Sequence, residues 1–407
     1  MLSKAAPKIE HMKMTIYNTI FFGVWPLVFA EKPLYRRIYN IYSWFIFLIA
    51  FLYVTTEYIE LYLMIKKNLD MINFTKSAVL ASTYTMGLMR VQAVSTSSAQ
   101  ELIKRIQVRE RQIFESEDEG ITKIYKERSR INNKFNFYYM MVNYWDTIVY
   151  LYIIFPLFYP YQEIYDPVTN QTKLHKDLPI DSWVPFDIDE DYYKALLWED
   201  IAATCCAVYN YGTDIFFFSF ISYVMGQLDI LNYIILNFEN YKEKIKNQLE
   251  CDNEKAEFVT MQLCIKEHQK LMGFINDYNN AMRSVMLRDF LQSSLQIALL
   301  CLYVLFEVDM LAMTAGVGFG FILLCRLGVY YWYANEVMMK SFDLVDAIYT
   351  VLWYEKSPRT KSLVNIFMLK CNQRAGLQIG TLTVMSWNIF FGILKSAYSF
   401  MTFVWQK

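Results

Sequence analysis

Seven apolar stretches, at about 41–65, 74–95, 137–159, 195–220, 290–306, 311–333 and 377–404, are each long enough to cross a bilayer as a helix. A single water-soluble core cannot bury that many such runs. The 55% hydrophobic content exceeds the roughly 45–50% of a soluble domain. Mean hydropathy is only +0.17, because charged stretches between the runs dilute it. The predicted fold class is all-α: a polytopic membrane protein with seven transmembrane helices and a cytoplasmic helical anchor bundle. Only Glu307, Val308 and Asp309 separate the fifth and sixth runs, so these form a tight hairpin. The shorter run Ile16–Phe29 is broken at Trp25-Pro26 and reads as a re-entrant or interfacial segment within an N-terminal unit, 1–40.

Lysine and arginine placement sets the orientation. The N-terminal unit is basic, with Lys4, Lys8, Lys13, Lys32, Arg36 and Arg37. So is the second connection, about 96–136, which runs from Lys104 and Arg105 to Arg130 and Lys134. The segment before the last run carries Lys340, Lys356, Arg359, Lys361, Lys370 and Arg374. By contrast, the loop 160–193 holds Lys173 and Lys176 against Glu163, Asp166, Asp177, Asp181, Asp187, Asp189, Glu190 and Asp191. The N-terminus is therefore expected inside and the C-terminus outside. Asn170-Gln171-Thr172 in the acidic outer loop is a glycosylation candidate at Asn170. No cysteine falls in that loop, so the thiols read as buried small apolar residues rather than disulfide partners.

Beyond the membrane the fourth run continues as a helical seam through Ile221, Val224, Leu228, Leu231 and Ile235. Met261, Ile265, His268, Met272, Ile275, Asn279 and Met282 form another before the fifth run. Val337, Ser341, Leu344 and Ile348 extend the sixth. Residues 221–289 and 334–376 thus supply cytoplasmic helices that bury their seams against one another or against neighbouring subunits. His268 and Asn279 are expected as packed, hydrogen-bonded seam residues. Ser357-Pro358 marks a cap and first turn, starting a short helix at about 358–372. In the terminal unit, 377–407, Thr381, Asn388, Lys395 and Thr402 recur at every seventh position and share a face, the pattern of a helix lining a water path.

The net charge of −1 suggests no nucleic-acid partner. His-Glu-x-x-His and Gly-x-Ser-x-Gly are absent, and the histidines His11, His175 and His268 are scattered. No enzyme activity, catalytic residue, metal or cofactor is therefore expected. Arg326 is read as snorkelling to the cytoplasmic interface, and Glu57 and Glu60 as interfacial.

Tyr333-Ala-Asn-Glu-Val-Met-Met-Lys-Ser341, with Ala347-Ile-Tyr349 and Trp353-Tyr354, resembles the signature that follows the sixth span of insect odorant receptors. Trp183-Val-Pro-Phe-Asp187 is similar to their second outer loop and Leu394-Lys-Ser-Ala-Tyr-Ser399 to their terminal helix. Asp-Arg-Tyr and Asn-Pro-x-x-Tyr, expected of a rhodopsin-like receptor, are missing, as is the gustatory pattern of the last helix. A compact connection before the fifth span resembles a ligand-tuning subunit rather than the longer coreceptor.

The resemblance implies an odorant-gated non-selective cation channel subunit that passes permeant cations. It would form a heterotetramer with a coreceptor, amid membrane lipid, in the plasma membrane of olfactory sensory neuron dendrites. It also implies a gate at the outer end of the last helix, near Thr402, Tyr398 and Phe403, with Ser399 and Asn388 on the pore face. A lysine at 395 in that path would repel cations, so Lys395 is expected to pair with a neighbouring helix. A volatile odorant would bind in the outer half of the bundle. Depth then selects Ala81, Tyr84, Tyr150, Ile154, Phe158, Trp198, Ala202, Cys205, Val304, Met313 and Gly316. The competing reading is a seven-helix chemoreceptor acting through a G protein or another cytosolic effector.

Overall fold

The computed structural model describes residues 9–24, 33–67, 71–148, 162–166, 171–176, 178–180, 182–188, 190–307, 310–373 and 375–405. Helices dominate: α1 (Lys13–Phe21), α2 (Pro33–Lys66), α3 (Met71–Val94), α4 (Ser97–Glu115) and α5 (Glu119–Ile148). Next come α6 (Tyr192–Leu236), α7 (Phe238–Leu249), α8 (Asn253–Phe306), α9 (Met310–Tyr349), α10 (Pro358–Cys371) and α11 (Trp387–Trp405). Between α5 and α6 lies an antiparallel hairpin, β1 (Gln162–Asp166) with β2 (Gln171–His175), in which Gln162 pairs with His175. Asn170 lies outside the described residues. Among the described residues, four helices are long and apolar enough to cross a membrane: α2, α6, α8 and the stretch Ala312–Tyr349 of α9.

The hub is α6. Its most apolar window is 94% buried, against 28% for α2, because α6 packs on α1, α2, α3, α5, α8 and α9 whereas α2 lies at the periphery. Phe216, Phe217, Phe218 and Phe220 point in successive directions around α6 and are all fully buried, which only a surrounded helix can satisfy. Phe218 meets Tyr330 at 4.7 Å and Tyr333 at 5.6 Å between ring centroids, tying α6 to α9.

At the polar end the long α8 packs on α4, α7 and α10. Its seam residues Met261, Cys264, His268, Ile275, Asn279 and Met282 are buried. His268 sits edge-on to Phe367 at 5.4 Å. Asn279 donates to the Gly376 carbonyl (3.1 Å) and accepts the Gln378 N–H (3.0 Å). The Ser357 hydroxyl accepts the Thr360 N–H (3.4 Å), capping α10, with Pro358 as its first residue. Lys356 bridges Glu239 (2.7 Å) and Glu257 (3.1 Å). The seams therefore close within one chain, although Ile366 and Leu369 on α10 remain 54% and 70% exposed.

Four expectations need correction. The last apolar run is not one helix from 377. A short hairpin, β3 (Gln378–Ile379) with β4 (Thr383–Val384), turns at Gly380 (φ +58°), and α11 starts only at Trp387. Thr381 thus lies in a turn, off the α11 face. Lys395 is exposed and, among the described residues, pairs with no carboxylate, because α11 packs through Ile389, Phe390, Ile393 and Ala397 on the other side. Glu57 is buried, not interfacial. Cys325 is exposed, whereas Cys206, Cys264 and Cys371 are buried; all seven cysteines are free.

The segment before α1 is pinned rather than loose. Glu110 on α4 accepts the backbone N–H groups of Glu10 (2.7 Å) and His11 (3.2 Å) and the Tyr125 hydroxyl (2.7 Å). His11 is fully buried, its Nε2 donating to the Ser219 carbonyl (3.0 Å) and its Nδ1 left to accept from the Ser129 hydroxyl (3.3 Å). Burial lowers its pKa from 6.5 to about 4, outweighing the Ser219 bond. The folded chain therefore holds His11 neutral while the unfolded chain protonates below 6.5. Its contribution to stability is complete above 6.5 and disappears as pH falls through about 4. Thermal melting of detergent-purified protein should lose on the order of 1 kcal/mol per pH unit in that window. His11→Gln should flatten the slope; identical slopes in the two proteins would exclude His11 as the source.

Candidate ligand-binding cavity

A cavity of about 420 Å³ opens among five helices. From α3 come Lys76, Val79, Leu80, Thr83 and Tyr84, and from α5 Asn143, Asp146 and Thr147. α6 supplies Ala207, Asn210 and Tyr211; α8 supplies Leu300 and Tyr303; α9 supplies Thr314, Ala315, Gly316, Gly318, Phe319, Ile322, Leu323 and Arg326. Ile180 covers one side, its N–H held by the Glu199 carboxylate. The volume lies within the range of about 300–1,000 Å³ that holds small organic ligands.

Most of the polar lining is already engaged. Asn143 donates to the Tyr139 carbonyl (2.7 Å) and Asn210 to that of Cys206 (3.2 Å). Thr83 donates to Val79 (2.8 Å) and accepts from Gln296 (2.5 Å), while Thr147 and Tyr211 share a bond (3.3 Å). What faces the space is mainly aromatic and aliphatic, which suits dispersion-dominated binding.

At one end of the cavity lies a charge cluster that sequence reasoning missed. Asp214 on α6, with a fully buried side chain, accepts from Arg90 Nη1 (2.9 Å) on α3 and Arg326 Nε (2.9 Å) on α9. It also accepts the hydroxyls of Tyr139 (2.7 Å) and Tyr330 (2.7 Å). Asp289 on α8 pairs with Arg90 and with Arg326 Nη2 (3.1 Å). Two arginines thus balance two aspartates, joining α3, α5, α6, α8 and α9. Arg326 is not a snorkelling residue: two carboxylates hold it inside the bundle.

Of the eight described residues chosen by depth, Tyr84 and Gly316 line this cavity. Ala81 and Ala202 are fully buried at helix contacts. Trp198 and Cys205 pack against the core, while Val304 lies near Gly316 behind the wall and Met313 is half-buried beyond it. Tyr150, Ile154 and Phe158 fall outside the described residues. On α11, Asn388, Tyr398, Ser399 and Phe403 are exposed and Thr402 is half-buried. No group of three or more His, Cys, Asp or Glu side chains among the described residues is arranged to hold a metal ion.

Comparisons bear on this architecture. The family model described as 7tm Odorant receptor matches residues 70–398. Odorant receptor Or2 of Anopheles gambiae is 26% identical over 147 residues, covering 36% of this chain and 38% of that protein. Odorant receptor 10 of Aedes albopictus is 24% identical over 152 residues, covering 37% and 40%. The matched chain spans about two fifths of these relatives' length. The insect olfactory receptor OR5 from Machilis hrabei superposes with a TM-score of 0.74 at 13% identity, over 96% of both chains. Its structure in complex with eugenol gives 0.75 at 14% identity, over 97% of both. These superpositions establish a common fold from end to end. With the family model matched across most of its length, the chain belongs to the 7tm odorant receptor family, membrane receptors rather than enzymes.

Proposed function

We propose that this chain is the ligand-tuning subunit of an odorant-gated, non-selective cation channel. It binds small volatile apolar ligands in the five-helix cavity and assembles with a coreceptor in a heterotetramer. Its site of action is the plasma membrane of olfactory sensory neuron dendrites. The carrying observation is the cavity of about 420 Å³, apolar over most of its wall and roofed at Ile180. A related fold holds eugenol, in the Machilis hrabei receptor.

The exposed face of α11, with Asn388, Lys395, Ser399, Tyr398 and Phe403 and the half-buried Thr402 beside them, supports a pore and gate shared with other subunits. Lys395 stands about 10 Å below Thr402 along the helix. On a shared path its charge repels cations, so this subunit would tune permeation as well as ligand choice. The exposed Ile366 and Leu369 on α10 offer apolar surface for subunit contact. Acidic residues of the outer loop, Asp187 and Glu190 among them, would concentrate cations at the mouth.

Gating follows from differential affinity. A ligand that packs better among α3, α5, α6, α8 and α9 in the open arrangement shifts the population toward it, and α11 moves through its packing on α8 and α9. Whole-cell recording from cells expressing the chain with an insect coreceptor should give a rapid volatile-evoked cation current that survives blockade of G-protein signalling. Loss of the current under that blockade would sink the channel reading in favour of coupling to a cytosolic effector. A current that needs no coreceptor would remove the tuning-subunit assignment.

A further inference from the structure

We propose that Arg326 determines specificity in the cavity, donating a hydrogen bond to a neutral acceptor oxygen, a ketone or ester carbonyl, on an otherwise apolar ligand. The inference rests on the five-helix cavity being the odorant site. A guanidinium carries five N–H donors in a rigid fork. Arg326 spends two on protein, Nε on Asp214 (2.9 Å) and one of Nη2 on Asp289 (3.1 Å), leaving three without an acceptor among the described residues. Its side chain is 13% exposed and lines the cavity, so the spare donors have the ligand space before them. The two carboxylates and the Tyr330 ring, 5.5 Å from the guanidinium carbon, fix the group in place. A donor held this way forms a ligand bond without losing further rotamer freedom.

The polarity of the ligand follows from the charge balance. Arg90 and Arg326 are matched by Asp214 and Asp289, so the cluster carries no excess positive charge to attract an anion. The two further ionic side chains of the lining, Lys76 and Asp146, are again one of each sign, so burying a carboxylate there would carry its desolvation cost without a surplus counter-charge. A carbonyl brings a lone pair and little desolvation penalty. A hydrocarbon of the same size fills the space but leaves the donors without an acceptor.

The test uses the complete complex with coreceptor and three probes equal in non-hydrogen atoms: methyl pentyl ketone, octane and hexanoic acid. The native complex should respond to the ketone at concentrations about 10- to 100-fold lower than to octane. In Arg326→Met that gap should collapse, with the octane response retained. Because a lone Arg326→Met takes one partner from each of Asp214 and Asp289 and leaves two carboxylates on Arg90, the pair Arg326→Met with Asp289→Asn serves as the second variant. It keeps the Arg90–Asp214 bridge (2.9 Å) and a balanced charge. Equal potency of ketone and octane in the native complex would overturn the assignment. So would a gap that survives in either variant, or hexanoic acid outperforming the ketone. Currents to both probes without a gap leave the receptor reading standing and remove only Arg326's role. A surface-expressed complex silent to all volatiles removes both.

Discussion

Replacing Asp214 by alanine is expected to destabilise the fold by about 3–5 kcal/mol, the cost of stranding a buried charge partner. Asp214 is fully buried and accepts four hydrogen bonds, from Arg90, Arg326, Tyr139 and Tyr330. Those donors stand on α3, α5 and α9, so one carboxylate on the central α6 fastens three neighbours. Without it, the buried Arg90 and the largely buried Arg326 share Asp289, and two tyrosine hydroxyls lose their acceptor. A large fall in melting temperature of the purified protein, with reduced surface delivery, is the expected readout. A melting curve that overlays the native one would show that the cluster contributes nothing to the folded state. The pair Asp214→Ala with Arg90→Met should lose less than the two single losses added together, because it leaves the Arg326–Asp289 bridge (3.1 Å) balanced.

That cluster also marks where sequence reading stops. Apolar periodicity and capping chemistry are local signals. They located the helix starting at Pro358, its Ser357 cap, and the buried seam of Met261, His268, Ile275 and Asn279. The Arg90–Asp214 and Arg326–Asp214 bonds join residues 124 and 112 positions apart, and no spacing rule connects them. Seen alone, Arg326 in an apolar run reads as a residue reaching for the interface. The hairpin before α11 was hidden for a different reason. Leu377, Ile379 and Met385 are buried and Val384 is half-buried, so hydropathy runs straight through the turn. Gly376 and Gly380 with the β-branched Thr381 and Thr383 were the available breaker signal. For the cavity, depth along a helix leaves the azimuth open. Ala81 and Ala202 lie on contact faces, whereas Tyr84 and Gly316 turn inward. Azimuth is set by which helices become neighbours, and that is a tertiary property.

Gly316→Val is expected to reduce sensitivity to cavity-filling ligands about 10- to 100-fold, the effect of a methylene-scale change in an apolar pocket. A Cβ at Gly316 would lie 2.7 Å from Tyr303 Cε1 and 2.9 Å from its Cδ1, inside van der Waals contact. Backbone cannot yield easily where α8 and α9 cross, so the ring must turn. Tyr303 itself lines the cavity, and its hydroxyl reaches the Ala312 carbonyl at 3.5 Å. Displacing the ring therefore disturbs the wall between α8 and α9 and takes up ligand space at once. Gly328→Val supplies the control: it lies on the same helix outside the cavity lining, carries the same loss of glycine, and its Cβ would meet nothing nearer than Phe390 Cζ at 4.0 Å. Dose–response curves for a graded ketone series should shift in Gly316→Val, most for the longest ligands, and stay in place in Gly328→Val. If both variants shift alike, the effect belongs to α9 as a helix and not to the cavity; if neither does, Tyr303 is not part of the surface that ligands feel.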